Sequence, residues 1–303
     1  MNFKSFAQGL SLLSIFIFVL SFIILGSQFL LAQNKSSALS SVLNGVDLSP
    51  SFPKRDWSIQ DLNINAVSGF VVESNLSDSS KILYSKNGDI QLPIASLTKL
   101  MTAIIVLDNY NLSESITLDK KADGQAPMIK DVKIGDTLSI DEYLHIMLIE
   151  SSNKSAFALA EKIGLENFIG LMNQKAKMIG LENTVFADPT GINGNNKSTA
   201  RDLTKLAEYI LKNYSKIVDI SRIEKVNLPN FGLVENTNQL LGSVPEIVGG
   251  KTGFTTYAKG CLLLVVNNPV AGDHLFYVIL GSDDRFLEMK NIIDWTNSAY
   301  KWK

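Results

Sequence analysis

One cysteine in 303 residues excludes an intrachain disulfide. Cys261 opens the apolar run Cys261-Leu-Leu-Leu-Val-Val-Asn267, which reads as a buried strand, so the thiol suits a small core residue better than a nucleophile. Histidine is nearly as scarce, with only His145 and His274. His145 falls inside a helical apolar pattern, and no set of His, Cys and carboxylates converges at metal-ligand spacing. Neither a metal nor another cofactor is therefore expected. An excess of one charge is missing too. The 28 basic and 30 acidic residues leave a net charge of -2, too weak a field for a nucleic-acid partner. There is no internal repeat. What the chain does have is apolar content, 46% of all residues, which excludes disorder and suffices for a sizeable core in one or two domains.

The first strong signal is Leu10 to Ala32, an uncharged stretch about long enough to cross a bilayer as a helix. Ala32 follows Leu31 and Leu30, a poor cleavage site, so an uncleaved anchor is favoured over a signal peptide. Either reading sends the remainder outside. Residues 33–56 are rich in Ser and Asn, with Pro50 and Pro53, and read as a flexible spacer. Ordered structure is expected from Trp57, giving three segments: 1–32, 33–56 and 57–303.

Within the last segment, Ser68 to Glu73 and Lys81 to Ser85 read as two strands joined by a polar loop. Ile94 to Leu107 is apolar on nearly all sides, a buried helix. Ser139-Ile-Asp-Glu142 is a capping box opening a helix over 140–149. Helical pattern also covers 155–163, 167–178 and 200–211. Val244 to Gly250, Gly260 to Asn267 and Phe276 to Gly281 read as strands, and an amphipathic helix closes the chain from Asp284 to Tyr300. Strands at both ends and helices between them predict an α+β fold, an antiparallel sheet flanked by helices with an inserted, mainly helical lobe.

Three short segments carry chemistry. In Ser96-Leu-Thr-Lys99 the serine and lysine share one face of a helix, so the amine can meet the hydroxyl. A serine needs a base to become a nucleophile. Burial and the positive potential of a helix N-terminus both lower a lysine's pKa toward that role. In Ser151-Ser-Asn153, at a break between two helices, Ser151 could relay a proton, while Asn153 could hold Lys99 and a substrate amide. In Gly249-Gly-Lys251-Thr-Gly-Phe-Thr-Thr256 the glycines allow close backbone approach, and an extended substrate could pair with the strand. Lys251 and Thr252 suit a carboxylate, and the N–H groups of Ser96 and Phe254 could form an oxyanion hole. Singly, the three read as blandly as a helix cap with a surface lysine, a polar turn and a glycine-rich hairpin. Their order, S-x-x-K, S-x-N, K-T-G, is that of penicillin-binding proteins and class A β-lactamases.

The sequence resembles the low-molecular-mass penicillin-binding proteins, the serine D-Ala-D-Ala carboxypeptidases. The likeness runs over residues 57–303, through PIASLTKLMTA, LIESSNKSAFALAE, MNQKAKMIGLENTVFADPTGI, STARDLTKLAEYIL, GGKTGFTTYAKGCLLLV and RFLEMKNIIDW. It implies a β-lactamase/transpeptidase-like fold. It also implies an acyl-enzyme on Ser96, Lys99 as base, and Ser151 and Asn153 in the polar network. Lys251, Thr252 and Gly253 would line the pocket for the terminal D-alanine, with Arg285 helping to hold its carboxylate. Peptidoglycan stem peptides would be the substrate and β-lactam antibiotics inhibitors. The place of work would be the outer face of the bacterial cytoplasmic membrane, with the N-terminal span as tether, since the larger relatives' C-terminal domain and anchor are absent; cleavage of the span would leave a secreted enzyme. The second motif reads Ser-Ser-Asn where many relatives have Ser-Gly-Asn, so Ser152 is expected to alter the pocket edge. A class A β-lactamase would need a glutamate in the Phe186 to Gly191 loop, which has none. A D,D-endopeptidase on cross-linked peptidoglycan and a non-catalytic cell-wall binding module remain as alternatives.

Overall fold

Strands from both ends of the catalytic segment meet in one sheet. The computed structural model describes residues 53–76, 80–125, 131–244, 246–268 and 273–302. The expected anchor and all of the spacer before residue 53 lie outside them. Among the described residues no helix is long and apolar enough to cross a membrane. Ordered pairing begins ahead of the expected start at Trp57, because Lys54–Arg55 already pairs with Tyr300–Lys301.

The sheet holds β1 (Ser68–Ser74), β2 (Ser80–Lys86), β3 (Ile247–Thr255), β4 (Lys259–Asn267) and β5 (His274–Ser282), all antiparallel, in the order β3-β4-β5-β1-β2. Its middle strands β4, β5 and β1 are buried on both faces, apolar for most of their length but with Glu73 buried in β1. In β4 the period-2 alternation sends Cys261, Leu263 and Val265 to one core and Leu262, Leu264 and Val266 to the other. In β1, Phe70 and Val72 face the first core and Val71 the second.

The first core is covered by six helices inserted between β2 and β3: α1 (Lys99–Asn109), α2 (Ile140–Ile149), α3 (Asn153–Glu161), α4 (Leu165–Ile179), α5 (Ala200–Asn213) and α6 (Ser215–Ser221). The second lies under α7 (Arg285–Ala299), through Met289, Ile292 and Ile293. The capping box at Ser139 and Glu142 forms with both reciprocal bonds. The sequence pattern missed α6 and the hairpin of Lys225–Leu228 with Gly232–Glu235. Both are short, and they lack the long period that marks an element. The strand expected to stop at Gly250 runs on to Thr255, because pairing with β4 outweighs the weak strand preference of the glycines.

Candidate active site

The nucleophile sits on a tighter turn than an α-helix. Ala95–Thr98 is a 3₁₀ turn that leads into α1. Side chains at i and i+3 eclipse in that geometry. Lys99 Nζ is accordingly 2.9 Å from Ser96 Oγ. It also lies 2.8 Å from Asn153 Oδ1 and 2.7 Å from the Thr190 carbonyl. The two carbonyl-type oxygens can only accept. They fix two N–H bonds of the amine and aim its third position at the serine hydroxyl, which can accept from an ammonium or donate to a neutral amine. Lys99 is fully buried, and burial lowers its pKa to about 7, against the opposing pull of Asp188 and Asp131. A large fraction of the amine is therefore a free base near neutrality, with its lone pair on Ser96.

The second motif reaches two different lysines. α2 ends at Ile149 and α3 starts at Asn153, leaving a short break. Asn153 holds Lys99, whereas Ser151 Oγ accepts from Lys251 Nζ at 2.8 Å. Lys251 is also buried, and burial, then Lys99, then Arg285 push its pKa well down. Ser152 corrects an expectation. Its side chain is fully buried, caps α3 by accepting from the Ser155 N–H, and donates to Asp131 Oδ1 at 2.6 Å. It braces the break from behind and forms no part of the pocket edge.

The third motif closes the cleft on the other side. β3 is an edge strand, and its Gly253 lies against the nucleophile turn: a Cβ there would come within 3.0 Å of the Ser96 nitrogen and 3.1 Å of the Ile94 oxygen. The main chain at Ser96 and at Gly253–Phe254 is thus adjacent, as an oxyanion hole needs. The Phe254 ring itself is 63% exposed. Thr252 Oγ1 is 2.6 Å from Thr237 Oγ1, which ties β3 to the end of α2 through the Thr237 N–H and the Ile149 carbonyl. Arg285 opens α7 beside Gly260, half-buried, with its guanidinium 4.6 Å from the Phe286 ring centre. Its Nε is buried and bonds to nothing in the protein. Cys261 is a buried strand residue whose thiol is pushed up to about 12 by burial, so it is no nucleophile.

Sequence reasoning missed the loop over 187–196. Asp188 accepts from the N–H groups of Thr190, Gly191 and Asn193, which shapes the loop so that the Thr190 carbonyl meets Lys99. Asn196 ties the loop to the nucleophile turn, through Thr98 Oγ1 and the Ile94 N–H. The Asp-Pro-Thr-Gly-Ile-Asn composition signals a tight turn, but nothing in it points to Lys99. Two non-glycine residues in the site have left-handed backbone, Ala95 at φ 47° and Ser151 at φ 67°. Among the described residues no cluster of His, Cys, Asp and Glu could hold a metal.

Known proteins share this layout. The family model for D-alanyl-D-alanine carboxypeptidases, peptidase family S11, matches residues 56–284. A D-alanyl-D-alanine endopeptidase of Escherichia coli is 38% identical over 67% of this chain and 69% of its own length. D-alanyl-D-alanine carboxypeptidase DacF of Bacillus subtilis is 33% identical over 87% of this chain and 71% of its own. Among solved structures, a mutant of the Streptomyces K15 DD-transpeptidase superposes with a TM-score of 0.70 at 30% identity, covering 78% of this chain and 100% of that one. Penicillin-binding protein D2 of Listeria monocytogenes in a cefotaxime-bound form gives 0.70 at 25% identity, over 78% and 99%. This chain belongs to the D-alanyl-D-alanine carboxypeptidase family of serine peptidases.

Proposed function

We propose that this serine peptidase removes the terminal D-alanine from peptidoglycan stem peptides through an acyl-enzyme on Ser96. The observation that carries the reading is the Lys99 amine, buried, partly neutral at pH 7 and held 2.9 Å from the Ser96 hydroxyl by two fixed acceptors. Ser96 Oγ attacks the carbonyl of the penultimate D-alanine as Lys99 takes its proton. The oxyanion sits between the N–H groups of Ser96 and Phe254, each such donor contributing about a hundred- to thousand-fold in rate. Ser151, bonded to Lys251, is placed to pass a proton to the leaving amine, and water then cleaves the ester. Lys251 and Thr252 supply hydrogen-bond donors for the terminal carboxylate, and Arg285, whose Nε has no partner in the protein, supplies the positive charge. A β-lactam presents the same carbonyl and carboxylate, so it would acylate Ser96 as well.

Fluorescent-penicillin labelling with the adduct mapped by peptide mass spectrometry tests this. An adduct on Ser96 that vanishes in Ser96→Ala is expected, and full labelling of that variant would overturn the assignment. The endopeptidase reading is supported by the similarity to D-alanyl-D-alanine endopeptidases. Free D-alanine released from a pentapeptide, against cleavage of a cross-linked dimer, separates the two. We place the enzyme at the outer face of the cytoplasmic membrane, tethered by Leu10 to Ala32. The support is the length and lack of charge of that stretch.

A further inference from the structure

The edge of the sheet farthest from the catalytic cleft carries a feature the chemistry does not use. Arg55 lies on a bed of aromatic rings, 5.3 Å from the centre of Trp57, 5.1 Å from Trp295 and 5.8 Å from Tyr300. Tyr84 packs edge-on against Trp295 at 5.5 Å. These residues wall a hollow of about 620 Å³ whose ionic lining is three cations, Arg55, Lys81 and Lys86, and one carboxylate, Asp61. Arg55 pairs with Asp61 at 2.9 Å, whereas Lys81 and Lys86 donate to the carbonyls of Pro53 and Ile64. Trp57 is 82% exposed, an unusual cost for so large a ring, and Lys54, three positions before it in sequence, is exposed as well.

We propose that this face is a membrane-docking surface for anionic phospholipid headgroups, a proposal that rests on the tethering read for the N-terminal stretch. Three observations favour that occupant. The hollow includes Arg55 and Trp57, among the first described residues, which begin at Pro53 and follow the uncharged stretch Leu10 to Ala32 along the sequence. Tryptophan and tyrosine mixed with lysine and arginine is the composition that settles at the lipid–water interface. The net positive lining is complementary in charge to anionic lipid. The sheet order adds a consequence: β2 forms part of this face, and β3, which lines the cleft, is the opposite edge. Four strand spacings put about 19 Å between them. Docking by the β2 edge turns the cleft away from the membrane, toward the wall.

The test is built in, because all three tryptophans, Trp57, Trp295 and Trp302, belong to or adjoin this aromatic cluster. The full chain is mixed with vesicles containing phosphatidylglycerol, with or without brominated acyl chains, floated, and washed with alkaline carbonate. Carbonate-resistant flotation with tryptophan quenching is the expected result. Trp57→Ala should reduce quenching of the other two tryptophans while penicillin labelling stays unchanged. Lys54→Glu should lower the docked fraction at least about fivefold, the worth of one basic residue at such a surface. Quenching with flotation that carbonate abolishes would support docking and remove the tether. Carbonate-resistant flotation without quenching would overturn docking and leave the tether. No flotation would overturn both. Unquenched fluorescence that shifts only with lipid-free peptidoglycan would give the face to glycan and end the proposal.

Discussion

Lys99 carries a prediction that follows from its surroundings. A base must be neutral to accept a proton, so acylation should fall about tenfold per pH unit below pH 7, where the amine becomes an ammonium. Penicillin acylation rates over pH 5 to 9 would show this. A flat profile would mean that another group takes the proton. Stability has the same sign. Between its folded pKa of about 7 and its ordinary 10.5, Lys99 holds more protons unfolded than folded, so stability should rise with pH across that window. Lys251 acts in the same direction. Ser96 and Lys99 were legible in the sequence because an i, i+3 pair is local and any helical turn brings it together. Thr190 was not, since it contributes a backbone carbonyl, which every residue has, across 91 positions. Ser152 misled for the opposite reason: its side chain is visible in the motif, but the direction it points is set by α3 and Asp131.

At the scale of elements, the nucleophile turn, the break before α3, the loop over 187–196 and β3 are clamped by groups that do no chemistry. Gly191 has φ 88°, and a Cβ there would stand 2.0 Å from the Ala95 carbonyl oxygen. Gly191→Ala should therefore push the loop from the nucleophile turn, lowering acylation and thermal stability together. An unchanged acylation rate would show that the loop does not position Lys99. Ser152→Ala should separate the two readouts: loss of a helix cap costs about 1 kcal/mol, so the melting temperature falls while Ser96 labelling persists. Most helices were foreseen to within two or three residues because their apolar period is sustained. The buried helix expected from Ile94 begins at Lys99 instead, since its first turn is drawn into 3₁₀ geometry against β3.

For the whole molecule, the order of strands and helices along the chain was enough to foresee one sheet joining both ends. The last residues show how far that joining extends. Tyr300 is buried, its hydroxyl bonds to the Leu83 carbonyl, and Tyr300–Lys301 pairs with Lys54–Arg55. Removing residues 300–303 should lower the melting temperature by several degrees, since the loss of one buried aromatic side chain alone costs about 3 kcal/mol. Differential scanning calorimetry would show it; an unchanged transition would mean that the strand pair is ornamental. Less legible was the far edge of the sheet. Arg55, Tyr84, Trp295 and Tyr300 are scattered along the sequence, and the pairing of β1 with β2, the return of α7 and the pairing of Lys54–Arg55 with Tyr300–Lys301 gather them.

The left-handed backbone at Ala95 and Ser151 has a consequence for how this enzyme can change. Glycine would relieve the backbone strain at each position, offset at Ala95 by the loss of a buried methyl and at Ser151 by the loss of a partner for buried Lys251. Yet Ala95 precedes the nucleophile, and Ser151 is the hydroxyl that Lys251 holds. A lineage that yielded to glycine at Ser151 would relieve the bend and lose the proton relay. Ala95→Gly, which spares every reacting side chain, measures how much of the catalytic rate depends on that uncomfortable bend.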